Sequence, residues 1–174
     1  MEQISKNIYW DTIPTERGAV TVMATDKGIC WAGTPGTPVD AGMAWVSKHL
    51  HTDSFEQKPD YPVLVKVRTQ LNEYMNGRRT QFDGPFDMHG TPFQKAVWQA
   101  MLDIPYGKAK TYGQVAKEVG RPLAVRAVGG ACNANPIAIL VPCHRIVGSN
   151  GSLTGYGGGL PTKEWLLKLE KYLS

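Results

Sequence analysis

No stretch of the sequence approaches the roughly 18–20 consecutive apolar residues that a membrane-spanning helix needs, so no membrane span is expected. Cysteine is scarce: only Cys30, Cys132 and Cys143 occur. An odd number with no C-x-x-C pair argues against both a disulfide framework and a zinc knuckle. The histidines, His49, His51, His89 and His144, have no ligand spacing with these cysteines, so no metal is expected. Internal repeats and low-complexity tracts are also missing, which excludes solenoids and disordered linkers. Residues 1–14 hold no continuous apolar segment, which speaks against a secretory signal. A cytoplasmic chain is expected, without any sign of an obligate oligomer.

What is present is an ordinary globular composition, 42% hydrophobic and 20% charged, in 174 residues. That length holds one medium domain or two small ones. A net charge of +4 permits a polyanionic partner without requiring one. Arg121, Arg126 and Arg145 all fall in the segment that carries the most unusual motif.

The pattern predicts an α+β fold in two parts. The first is a small antiparallel sheet with helices, and the second is mainly helical. Residues 8–13 and 19–25 read as strands, with Asp26-Lys27-Gly28 turning into Ile29-Cys30-Trp31. Apolar spacing predicts helices over 39–50 and 62–76, the second ended by Gly77. A short strand is expected at Arg79–Phe82. Gly84, Pro85, Gly90 and Pro92 then mark a boundary near 84–91.

Two capping boxes follow, Thr91-Pro92-Phe93-Gln94 and Thr111-Tyr112-Gly113-Gln114. The second opens a short helix through Val119, and Leu123–Cys132 forms another after a Gly-containing turn. Together they make a helix-turn-helix candidate. A last helix is expected over Lys163–Leu173, carrying Trp165, Leu166, Leu169 and Leu173.

The segment Asn135-Pro136-Ile137-Ala138-Ile139-Leu140-Val141-Pro142-Cys143-His144-Arg145 concentrates the chemistry. Its apolar run is bounded by prolines and reads as buried and extended, delivering Cys143 beside His144 and Arg145. A lone cysteine is ordinarily a small buried hydrophobe. Here His144 can withdraw the thiol proton. Arg145 or a helix N-terminus can hold the charge, pulling the pKa below the free value of about 8.5. A zinc deaminase would need a second cysteine where Ile146 stands. A Cys-His hydrolase would need alternating βα units and glycines flanking the nucleophile, and these are missing.

These residues resemble the O6-alkylguanine-DNA alkyltransferases, also called methylated-DNA–protein-cysteine methyltransferases. The resemblance rests on Pro142-Cys143-His144-Arg145-Ile146-Val147. It also rests on Thr91–Gln94, Ile104-Pro105-Tyr106-Gly107, Thr111-Tyr112, Arg126-Ala127-Val128-Gly129, Asn135-Pro136, Gly155-Tyr156 and Lys163–Glu170. It spans about residues 91–170, whereas 1–88 match only in length and coarse element order.

The resemblance implies a ribonuclease-H-like support domain over 1–88 and a DNA-binding, alkyl-acceptor domain over 89–174. It implies single-use transfer of an alkyl group from O6-alkylguanine in DNA, with O4-alkylthymine a further candidate substrate, and no cofactor. In that reading Cys143 accepts the alkyl group, His144 takes its proton through a water and Glu170 orients His144. Asn135 holds the backbone of the cysteine segment, and Tyr112 donates toward the base ring. Tyr156, Gly157 and Val141 border the pocket. Arg126, Gly129, Tyr112 and Ser149 meet double-stranded DNA in the minor groove, with Arg126 filling the place of the extruded base. A monomer is implied. A family member without catalytic function would have replaced the acceptor, so Cys143 argues for an enzyme. Gly157 departs from the Ser or Ala common in relatives, which implies a roomier pocket.

Overall fold

The computed structural model describes residues 7–174. The absence of a signal segment was read partly from residues 1–6, which lie outside this range. The chain forms two compact units that divide between His89 and Gly90.

In the first unit β1 (Ile8–Ile13), β2 (Val20–Thr25) and β3 (Gly28–Ala32) are followed by α1 (Val39–Leu50), β4 (Phe55–Gln57) and α2 (Pro62–Met75). The sheet order is β3-β2-β1-β4. β1–β2 and β2–β3 are antiparallel, but β4 joins β1 in parallel, so the sheet is mixed. The long return through α1 makes the parallel pairing possible. β2 is buried at every position, including Thr21 and Thr25. A central strand contacted by both α1 and α2 leaves no residue to water.

Gly77 ends the α2 region at φ 71, in the left-handed conformation. Residues 79–82 form no strand; Arg79 instead pairs with Glu73 and Asp83. The nearby strand-like contact is Phe86 bridging Ile29. Gly28 lets that segment approach, because a Cβ there would overlap the Pro85 carbonyl.

The second unit contains α3 (Pro92–Leu102), β5 (Lys110–Thr111), α4 (Tyr112–Glu118), α5 (Val125–Asn133), a single 3₁₀ turn (Cys143–Arg145), β6 (Ile146–Val147) and α6 (Leu160–Leu169). Both capping boxes are formed: Thr91 and Thr111 accept from Gln94 and Gln114, whose side chains return the bond. α3 packs on α5, and Trp98 Nε1 donates to the Ala131 carbonyl at 2.8 Å across that junction. β5 and β6 pair in parallel, Thr111 opposite Val147, which fixes Tyr112 beside the segment leaving the cysteine turn. α4 and α5 are consecutive short helices joined by residues 119–124.

Candidate active site

The cysteine segment departs from the extended conformation expected of it. Residues 137–141 are a buried reversal in which Val141 N donates to Ile137 O at 3.1 Å. Ile139 takes φ 69, a left-handed backbone unusual for a β-branched residue. Ile137, Ile139, Leu140 and Val141 are buried as predicted and Ala138 half-buried, but the prolines bound a turn rather than a strand. Asn135 holds this turn from inside: its Nδ2 donates to Val141 O at 2.9 Å, and its Oδ1 accepts from Ile137 N at 3.0 Å.

Cys143 opens the 3₁₀ turn and is partly exposed, whereas Cys30 and Cys132 are buried. His144 and Glu170 are fully buried side chains, with His144 Nε2 2.7 Å from Glu170 Oε2. Because a carboxylate only accepts, Nε2 carries the proton and Nδ1 keeps a lone pair. That Nδ1 is buried and has no hydrogen-bond partner among the described residues. Glu170 stands just past the end of α6 rather than within it, since the helix closes at Leu169.

Arg145 does not face the thiol. Its Nε and Nη2 donate to the two Glu170 oxygens at 2.8 and 3.0 Å, and its Nη1 to Ile104 O at 2.7 Å. Tyr106 Oη donates to Leu169 O at 3.2 Å and Gly107 N to Glu170 Oε1 at 3.4 Å, so the loop after α3 also holds the end of α6. Burial pushes the Glu170 carboxyl up, but His144 and Arg145 outweigh it and bring its pKa to about 2. His144 is held below its ordinary value, burial outweighing the Glu170 bond.

The thiol of Cys143 is pushed up by burial, not down as expected, though Asn135 and Lys163 oppose the rise. It therefore rests protonated and needs a base. Tyr156 Oη finds no partner of full hydrogen-bond geometry, yet it lies close enough to the sulfur for each to perturb the other's titration. Cys132, buried and near the sulfur of Met101, is pushed up to about 12. Burial thus leaves Cys143 as the accessible sulfur.

Lys163 is the residue that pattern reading passed over. It is fully buried, and its Nζ donates to Ile146 O at 2.5 Å, Thr154 O at 2.9 Å and Gly155 O at 3.4 Å. The signal was available: Lys163, Leu166, Leu167 and Glu170 recur at i, i+3, i+4 and i+7, so they share one stripe. Leu166 and Leu167 are its buried apolar members, while Trp165, Leu169 and Leu173 are half-buried.

Direct contacts or electrostatic influence thus tie Cys143, His144, Glu170, Asn135, Val141 and Tyr156 together. Tyr112 joins at the edge, its Oη donating to Thr154 O at 3.2 Å. Arg126 and Ser149 are exposed on the surface, with no bond to that cluster among the described residues. A Cβ at Gly129 would lie 4.0 Å from the Tyr112 ring, and one at Gly157 would meet nothing within 4 Å. Among the described residues no group of three or more His, Cys, Asp or Glu side chains could hold a metal ion. Among the described residues no helix is long and apolar enough to cross a membrane.

The two units correspond to two family descriptions. Residues 8–88 match the ribonuclease-like domain of 6-O-methylguanine DNA methyltransferase, and residues 92–172 match its DNA-binding domain. The chain is 38% identical over all 174 residues to the inducible methylated-DNA–protein-cysteine methyltransferase of Bacillus subtilis (strain 168), spanning 96% of that protein. It is 40% identical to the methylated-DNA–protein-cysteine methyltransferase of Methanosarcina barkeri over 94% of this chain and 98% of that one. Among solved structures, Mycobacterium tuberculosis OGT in complex with DNA superposes with a TM-score of 0.79 at 38% identity, covering 94% of this chain and 92% of that one. With both units matched, and a relative of this identity covered nearly end to end, the chain belongs to the methylated-DNA–protein-cysteine methyltransferase family.

Proposed function

We propose that this protein repairs DNA by moving the alkyl group of O6-alkylguanine irreversibly onto Cys143. One observation supports this above others: a partly exposed thiol adjoins an imidazole whose Nε2 proton is committed to a buried carboxylate, leaving Nδ1 free to accept. That is an activated nucleophile with its base and orienter.

The thiol proton passes through one water to His144 Nδ1, and Glu170 stabilises the resulting imidazolium. The sulfur attacks the saturated carbon, forming the S–C bond as the O6–C bond breaks. The leaving guanine takes a proton from Tyr112, so it departs neutral. The product is a thioether, with no carbonyl for water to attack and a thiolate that leaves poorly from sp³ carbon. Each molecule therefore acts once.

The lesion lies inside a stacked duplex and must be extruded. Arg126, exposed on α5 among small residues, fills the vacated place from the minor groove, with Gly129 and Ser149 near the backbone. Residues 89–174 perform the recognition and chemistry, while 1–88 support them. The open space at Gly157 leaves room for alkyl groups larger than methyl.

Intact-protein mass spectrometry after incubation with O6-methylguanine duplex tests this. One added methyl is expected, located on Cys143 and lost in Cys143→Ala. Methyl on Cys132 or Cys30, an unmodified protein, or repeated turnover would overturn the proposal.

A further inference from the structure

We infer that Thr154 is a positioning residue for Tyr112, steering the phenol as its proton turns from the protein to the departing base. The inference rests on the donor role of Tyr112 proposed above.

Three bonds meet at Thr154. Tyr112 Oη donates to its carbonyl at 3.2 Å, its own Oγ1 donates to Tyr112 Oη at 3.4 Å, and Lys163 Nζ donates to the same carbonyl at 2.9 Å. A phenol has a single proton. While that proton rests on the Thr154 carbonyl, it is unavailable to a substrate. When it swings toward the base ring, the carbonyl keeps Lys163 as donor and is not orphaned, so the switch costs little. The Oη meanwhile keeps the Thr154 hydroxyl.

That hydroxyl does two things. It anchors Oη through the swing, and it donates to an oxygen on which negative charge builds as the proton leaves. Burial pushes the Tyr112 phenol above its ordinary value, and the Thr154 bond pulls it back. The frame around the pair is held independently: Lys163 also binds the Ile146 and Gly155 carbonyls, and β5 pairs with β6 directly before Tyr112. Thr154 is itself exposed, so changing its side chain does not disturb the core.

Thr154→Val removes the hydroxyl while keeping the shape and the carbonyl, and Thr154→Ser restores it. The readout is the single-turnover rate constant for alkyl transfer from a lesion-bearing duplex, with duplex affinity measured separately. Thr154→Val should slow transfer by about three- to tenfold at unchanged affinity, a loss on the scale of one hydrogen bond. Thr154→Ser should recover the rate, and Thr154→Val should add nothing in a Tyr112→Phe background. A wild-type rate in Thr154→Val overturns the inference, and so does equal slowing in both backgrounds. A fully active Tyr112→Phe would remove the donor role and the inference together. A slow Tyr112→Phe beside a fast Thr154→Val removes the inference alone.

Discussion

With its Nε2 proton committed to Glu170, His144 offers Nδ1 as the only proton acceptor of its ring. Burial holds the imidazole pKa below its ordinary 6.5, so the neutral ring predominates at pH 7 and still at pH 6.5. The rate constant for alkyl transfer should therefore fall to half its plateau only below pH 6.5. A rate that already halves at pH 6.5 would show an unperturbed histidine and count against this assignment. The Cys143 thiol is pushed the other way, which makes the base necessary instead of ornamental.

At the scale of elements, α5 and α6 do different work from similar lengths. α6 turns a stripe of Lys163, Leu166 and Leu167 inward and ends where Glu170 reaches His144 and Arg145. α5 buries only Val128, Ala131 and Cys132 and leaves Arg126 in solvent. A solvated arginine among small neighbours has no structural task to lose. Arg126→Ala should keep the wild-type melting temperature. It should cut repair of lesion-bearing duplex on the order of tenfold, with little change toward the free alkylated base. Equal losses on both substrates, measured as rate constants under single turnover, would remove its role in extrusion. The reversal at residues 137–141 is a second element-level device. It accepts a left-handed Ile139 so that Cys143 leaves the core at the start of a tight turn, and Asn135 ties that reversal down.

For the whole molecule the buried His144–Glu170–Arg145 cluster links stability to pH. Glu170 titrates near 2 in the folded chain against an ordinary value of 4.5, so its contribution is present above pH 4.5 and lost as pH falls toward 2. The full shift corresponds to at most about 3 kcal/mol. His144, with a folded pKa below 6.5, also binds fewer protons folded than unfolded, so it too makes acid destabilising, beginning below pH 6.5. Denaturant midpoints should fall progressively in acid, and Glu170→Gln should flatten the portion between pH 4.5 and 2. An unchanged slope in that variant would show that other carboxylates govern acid unfolding.

Local signals were enough for much of this. Capping boxes at Thr91 and Thr111 start helices by bonds within four residues, and the apolar spacing of 39–50 and 62–76 sets helices by periodicity alone. The proposed nucleophile Cys143 and proposed base His144 were legible because they are adjacent in the chain. Partners distant in the chain were harder. Nothing near Arg145 says that its guanidinium is taken by Glu170 and Ile104, and nothing near Thr154 says that it meets Tyr112 and Lys163.

The sequence alone determined the types and order of most elements and singled out Cys143 with its adjacent histidine as the candidate pair, because those depend on neighbours within a helical turn or within a motif. Only the tertiary structure decided that β4 pairs in parallel, that residues 137–141 reverse, that the thiol rests protonated and that Lys163 is buried. Those outcomes depend on which distant groups exclude water from a given atom, and a one-dimensional pattern does not carry that information.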